Sequence, residues 1–345
     1  MYKGKKENKR LWIIDAIKGI CILWVIMLHA IPAGEEEYRS LLMPFYAQLT
    51  IPFFMTISGF TYAASYERCD KWYGVKNLSR KYKRIIMPFI PVLIIELMII
   101  GVPGNPITWL LQGGYQMPGS YYVIIMMQFI LIFPVINRFY TWQEKTYLNG
   151  FIGFVIVFAF QCLYELFTYM IDLDVSVYRL FVLRYIIFIY TGVLVYRKHI
   201  SSKIKWKRLI FLMPLGFIYI VLVGYIGWQP HVLFRYDTWY RSAAPTVLWT
   251  FPIFAAMLEN SKKVDTLIKN SSIIINKIIR VMSNCGKASY HIYIVQMLWY
   301  GLVTTHFNDT SWRKIILFVS SAIVCSILGY LYYICENTLQ RIKLK

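Results

Sequence analysis

Charge is scarce in this chain, and negative charge scarcest of all. Only 16% of its 345 residues are charged, and 37 lysines and arginines stand against 17 aspartates and glutamates, for a formal net charge of +20. A soluble domain is about 25% charged and about 45–50% apolar. Here 58% is hydrophobic and 18% aromatic, more than one soluble core can bury. Lipid is the natural solvent for such a chain. The positive balance could suit nucleic acid. However, the basic residues fall in short clusters between long apolar runs, as the cytoplasmic loops of a membrane protein do.

Other absences narrow the field further. The six cysteines (Cys21, Cys69, Cys162, Cys285, Cys325 and Cys335) make no C-x-x-C, and no H-x-x-x-H occurs. Neither a zinc site nor a disulfide framework is therefore expected, and most of these thiols sit in apolar runs as small hydrophobes. The first apolar run follows the basic segment Met1–Arg10 without an Ala-x-Ala site, so it is expected to stay as a span rather than be cleaved. There is no G-x-S-x-G elbow, no internal repeat of the kind transporters often show, and none of the alternating segments of a membrane barrel.

What the chain does have is about ten apolar runs of spanning length, since about 20 apolar residues cross about 30 Å of hydrocarbon. They cover roughly 11–31, 44–66, 85–102, 120–138, 148–170, 179–196, 209–227, 242–258, 284–303 and 313–335. With the N-terminus inside, only Arg39, Arg235, Arg241, Arg313 and Lys314 fall in outer segments. Nearly all other basic residues fall in inner ones. A missed helix would scramble that alternation downstream. The expectation is an all-α, polytopic helix bundle in the cell membrane with both termini cytoplasmic. It forms one domain over 1–345, with short tails at 1–10 and 336–345. The outer loops Gly101–Gly119 and Trp228–Arg241 hold glycine, proline and aromatics. Those aromatics can anchor the interface or stack on a sugar face, and both readings stay open.

Ionisable groups inside spans default to function. The first span holds Asp15, Lys18 and His29. Lys18 and His29 are about 16 Å apart along one helix, and Asp15 can pair with Lys18 at i, i+3. Asp15 and Lys18 also admit a structural reading, a carboxylate beside a snorkelling lysine. His29 sits deep in an apolar run, and a neutral imidazole is the commonest general base. Ser58, in Ile57-Ser-Gly-Phe60, fits close helix packing or a cavity wall. The basic run Arg80-Lys81-Tyr-Lys-Arg84 suits topology and anionic lipid, or phosphate recognition by Arg80, Lys81 and Arg84. Tyr122 and Gln128 mark the fourth span. Ser289, Tyr293 and Gln296 form one polar stripe on the ninth. Arg184 needs a carboxylate, and Glu165 and Asp174 are nearby in sequence.

In that order these segments resemble the acyltransferase-3 family of integral membrane O-acyltransferases, over nearly the whole chain. Lys18 through His29 is similar to the family's opening Arg-x10-His motif. Ile57–Phe60 is similar to its second-helix signature, and Lys81-Tyr-Lys-Arg84 before Pro88 to its Arg-x-x-Arg motif. Tyr121–Pro134 and Gly286–Tyr293 match later segments. Lys18 and Lys81 replace arginines, which keeps the charge and loses the bidentate fork. The resemblance implies transfer of an acyl group, acetyl in the first instance, from acyl-CoA as donor substrate to a hydroxyl of a cell-surface or lipid-linked glycan. His29 would be the base, with Lys18 and Asp15 beside it, Lys81, Arg84 and Arg80 would hold the donor, and no resident cofactor or metal is implied. Ser58, Tyr122, Gln128, Ser289, Tyr293 and Gln296 would line the acceptor cavity. Membrane lipids and the glycan would be the partners. A flippase for a lipid-linked glycan and a non-catalytic sensor domain are the rival readings.

Overall fold

A computed structural model describes residues 11–32, 35–69, 71–101, 105, 119–143, 147–200, 206–303 and 311–342. The basic segment 1–10, most of the 101–119 loop and the last three residues lie outside them. The described residues are helical, with no strand among them. Among the described residues the α-helices longer than five residues are α1 (Trp12–Ala30), α2 (Thr50–Glu67), α3 (Val75–Ile100), α4 (Tyr121–Gln143), α5 (Tyr147–Met170), α6 (Ile186–Ile200), α7 (Met213–Val221), α8 (Val247–Glu259), α9 (Ser261–Lys269), α10 (Ile273–Lys287), α11 (Ser289–Val303) and α12 (Ser311–Ile342).

Five helical segments are long and apolar enough to cross a membrane: Trp12–Ala30, Tyr121–Gln143, Ile152–Met170, Trp206–Ile226 and Arg313–Gln340. The other expected spans are helical as well, but shorter, more polar or broken. The helix α3 starts in the basic run and carries Pro88 and Pro91 inside it. The expected span 284–303 is the upper part of a longer element. In it α10 and α11 follow one another across Ala288, where backbone hydrogen bonds from Ala288 to Asn284 and from Ile292 to Ala288 continue the ladder. The helix α12 runs beyond the expected span end at 335 and carries Glu336.

Glycine decides how closely α1 can pack. A Cβ at Gly19 would run into the backbone of Met282, and one at Gly286 into the backbone carbonyl of Asp15. Helices α1 and α10 therefore touch backbone to backbone, as small residues allow in a lipid setting. The Tyr300 hydroxyl donates to the Ile26 carbonyl at 2.7 Å further along, and the indole of Trp12 donates to Asp265 at the start. An equivalent seam joins α2 to α6, where Gly59 faces the Ile189 backbone and Gly192 the backbone of Thr56. Tyr196 and Arg197 of α6 both reach Glu67 at the end of α2.

Three apolar clusters result. The largest joins α1, α2, α4, α6 and α8, a second joins α1 to α10, α11 and α12, and a third joins α3, α4 and α11. Tyrosine hydroxyls tie the third together, with Tyr290 donating to the Ile85 carbonyl at 2.6 Å and Tyr332 to the Pro88 carbonyl at 2.8 Å. In hydrocarbon such carbonyls find no water.

Gly286→Val should force α1 and α10 apart. Overpacking typically costs about 1–3 kcal/mol. The expected result is a lower melting temperature and an aggregated elution profile in detergent. Gly227→Asn is the control, because Gly227 sits at φ +81° with open space around it and asparagine tolerates that conformation. It should elute and melt like the unmodified chain.

Candidate functional site

The three clusters meet around a cavity of about 1090 Å³. Its walls come from α1, α2, α3, α4, α6, α11, α12, the end of α10 and the 237–242 turn. Helix direction gives the cavity two ends. One lies at the start of α1, the end of α2 and the start of α3, where Asp15, Lys18, Arg68, Lys81, Arg84 and Lys287 gather. The other lies at the end of α1 and the start of α4, with His29, Pro32, Gly119, Tyr121, Trp239 and Arg241.

At the basic end, Lys81 lays its ammonium over the Trp72 ring, 3.6 Å from the centroid. The Trp72 indole is itself fixed by a hydrogen bond to the Ile130 carbonyl at 2.9 Å. Loss of solvent holds the Lys81 amine below the ordinary lysine range, with the Arg80 charge adding to the effect. Arg84 lines the wall one turn on. Arg80 is exposed and is not part of the lining. Helix α12 adds Glu336, whose carboxylate meets His291 Nε2 at 2.5 Å. Both of these residues line the cavity.

The middle is built from three helices. Ser58 on α2 and Tyr122 on α4 share a side-chain hydrogen bond, and the Tyr122 ring lies 5.2 Å from that of Tyr293 on α11. Tyr293 donates to the Gly119 carbonyl. Gly119 has φ +93°, and a Cβ there would collide with the Tyr293 hydroxyl, so this junction requires glycine. Ser58, Tyr122, Ser289 and Tyr293 all line the cavity.

His29 is in the last turn of α1, half-buried, with its ring 5.5 Å from that of Tyr300. Arg241 is the cation that acts on it electrostatically. Asp15 and Lys18 line the same cavity at the opposite end of the helix.

Two expected lining residues lie elsewhere. Gln128 latches α4 to the 180–182 segment, donating to the Leu180 carbonyl at 2.8 Å and accepting from the Val182 amide at 3.1 Å. That is a packing role for a polar group in an apolar setting. Gln296 shares the stripe of Ser289 and Tyr293, but it is fully buried outside the lining, and neither amide atom has a partner among the described residues. Arg184 reaches Glu165 only indirectly. Its Nη2 donates to Ser242 Oγ at 2.6 Å, and its guanidinium lies over the rings of Tyr178 and Trp239. The Tyr178 hydroxyl donates to Glu165 at 2.6 Å. Asp174 instead accepts from the Ser176 amide at 2.8 Å and caps a short helical turn.

Several wall residues were not singled out from sequence. Thr61, Ser65 and Arg68 continue the Ser58 face of α2 at helical spacing, a stripe that can be read directly. Arg241 and Trp239 looked like loop residues, and Glu336 looked like tail. Only tertiary structure brings these to the cavity.

A basic end, a polar middle and a histidine end suit an anionic donor, a reacting carbonyl and an acceptor hydroxyl in that order. The model of a family of acyltransferase domains matches residues 11–332. No curated protein and no solved structure matches the chain. The match covers nearly the whole sequence, and the chain belongs to the acyltransferase-3 family, whose membership implies acyltransferase activity.

Proposed function

We propose that the chain is a multi-pass O-acyltransferase of the cell membrane, with ten spans and both termini in the cytoplasm. It moves an acyl group, acetyl in the simplest case, from cytoplasmic acyl-CoA to a hydroxyl of a cell-surface or lipid-linked glycan. One observation carries this reading: a single cavity joins the cationic cluster of Lys18, Arg68, Lys81, Arg84 and Lys287 to His29. Phosphates of the donor suit the first end, because arginine and lysine form charge-assisted bonds to them. The thioester then extends along the Ser58, Tyr122 and Tyr293 wall.

His29 takes the proton from the acceptor hydroxyl as the oxygen attacks the thioester carbonyl. The carbon–sulfur bond breaks as the tetrahedral adduct collapses. The thiolate leaves and takes up a proton, giving the O-acyl ester and free CoA. The cavity holds donor and acceptor in one frame, which converts a bimolecular encounter into an oriented step. The retained charge of Lys18 and Lys81 suits phosphate as a point charge without a fork. The basic segments on alternate loops support the ten-span orientation.

His29→Ala should lower transfer of labelled acetyl from acetyl-CoA by at least about 100-fold, the usual scale of a lost general base, while the protein still inserts and accumulates. Wild-type transfer rates in that variant would remove the assigned role. For Lys81 the sign follows from its depressed pKa. The charge is present at low pH and is lost, as pH rises, sooner than from an ordinary lysine. The KM for acyl-CoA should therefore rise on the alkaline flank. Lys81→Arg, which keeps its charge, should move that flank to higher pH in initial-rate measurements.

A further inference from the structure

Arg241 is set apart from the other cations of the cavity. Lys18, Arg68, Lys81, Arg84 and Lys287 crowd the opposite end, whereas Arg241 stands by His29. It is half-buried, and its Nε is shut away from solvent without a partner among the described residues. Its one side-chain hydrogen bond there is a long one, from Nη1 to Gln48 Oε1 at 3.5 Å. Gln48 is fully buried, and its Nε2 also has no partner among the described residues. Two other cations expected on the same side meet a carboxylate: Arg235 pairs with Asp172, and Lys314 with Glu35 at 2.6 Å. A guanidinium partly withdrawn from water, with no counter-ion among the described residues, is costly, and an anion that enters the cavity would relieve that cost.

Next to it lies an aromatic surface. The Trp239 ring lines the cavity and has two guanidiniums over it, Arg184 at 4.0 Å and Arg241 at 5.2 Å from the centroid. Tyr121 meets it edge-on at 5.4 Å, and Ser242 Oγ donates to its carbonyl at 3.0 Å. The ring is only 8% exposed, so its part is to steady the guanidinium beside it through a cation–π contact.

We propose that Arg241, steadied by Trp239 and Gln48, forms an acceptor subsite for a sugar that carries an anionic substituent, a carboxylate or a phosphate. The anion pairs with the Arg241 guanidinium, which Gln48 and the Trp239 ring orient. A neighbouring hydroxyl is then presented to His29. This subsite rests on the acyl-transfer reading for its catalytic meaning but not for its binding.

The test uses the full chain in lipid nanodiscs, as wild type, Arg241→Gln, Arg241→Lys and His29→Ala. Binding is measured with fluorescein-labelled tetragalacturonate, labelled mannose 6-phosphate and labelled neutral tetragalactose. Wild type should bind at least one charged probe at least tenfold tighter than the neutral one. That preference should vanish in Arg241→Gln, weaken in Arg241→Lys and persist in His29→Ala. Preference for the uronate or for the phosphosugar identifies which anion is read, and either supports the subsite. Equal binding of charged and neutral probes by wild type overturns it, as does an unchanged preference in a monodisperse Arg241→Gln. In acyl-transfer assays Arg241→Gln should raise the KM for the charged acceptor tenfold and leave the KM for acyl-CoA alone. An equal fall in kcat for all acceptors at constant KM would assign Arg241 to the tetrahedral oxyanion and overturn the subsite. Arg241-dependent binding without any acyl transfer would sink the acyltransferase reading and leave the subsite standing.

Discussion

The backbone contact between α1 and α10 is the constraint on which the site depends. Helix α1 carries Asp15 and Lys18 near one end and His29 at the other, so its rotation about its own axis decides which of them face the cavity. Gly19 and Gly286 fix that rotation, because no other residue lets the two backbones meet at that distance. Lipid provides no hydrophobic force between helices. Close approach takes its place along this seam, and a carbonyl-directed hydrogen bond from Tyr300 of α11 holds α1 further along. The same device between α2 and α6 sets Ser58 on its wall. Two pairs of glycines thus fix the rotation of the two helices that contribute His29 and Ser58.

The remainder of the wall is held by tyrosines. Tyr290, Tyr293 and Tyr332 all spend their hydroxyls on backbone carbonyls of other elements. Each ring contributes apolar area to the bundle, and each hydroxyl satisfies an acceptor that hydrocarbon would leave bare. This explains why a chain with so little charge can still be rich in polar aromatic groups. It also separates polar residues that build from polar residues that face the cavity. Gln128 belongs to the first group and Ser58 to the second, although both are uncharged polar residues inside apolar runs.

Much of the helical fold was legible because apolar run length is a local signal. The ten runs all became helices among the described residues, and five of them have the length and apolarity of a span. Runs such as 284–303 were harder to delimit. The basic and polar residues of α10 hide its continuity with α11, so hydropathy starts the element late. The site was legible where motif residues share a helix face, as with Lys18 and His29 or Ser289 and Tyr293. It was not legible where the partner is distant in sequence. Glu336 reaches His291 only because α12 continues as helix past its apolar stretch, and Arg241 reaches the His29 end only through the fold of the 237–242 turn. Gln296 shows the opposite failure, since its spacing placed it on the cavity stripe and packing turned it away.

The cavity follows α1 from its first turn to its last, and a bilayer that encloses such a path must still hold its ion gradients. The positive groups described at both ends bear on that problem. A cation entering from the His29 end meets Arg241, and one entering from the other end meets Lys81, Arg84 and Lys287. Fixed positive charge in a narrow, low-dielectric passage is the barrier by which water channels reject protons and metal cations. In the proposed membrane setting, the same residues that suit anionic substrates would oppose the entry of cations from either end.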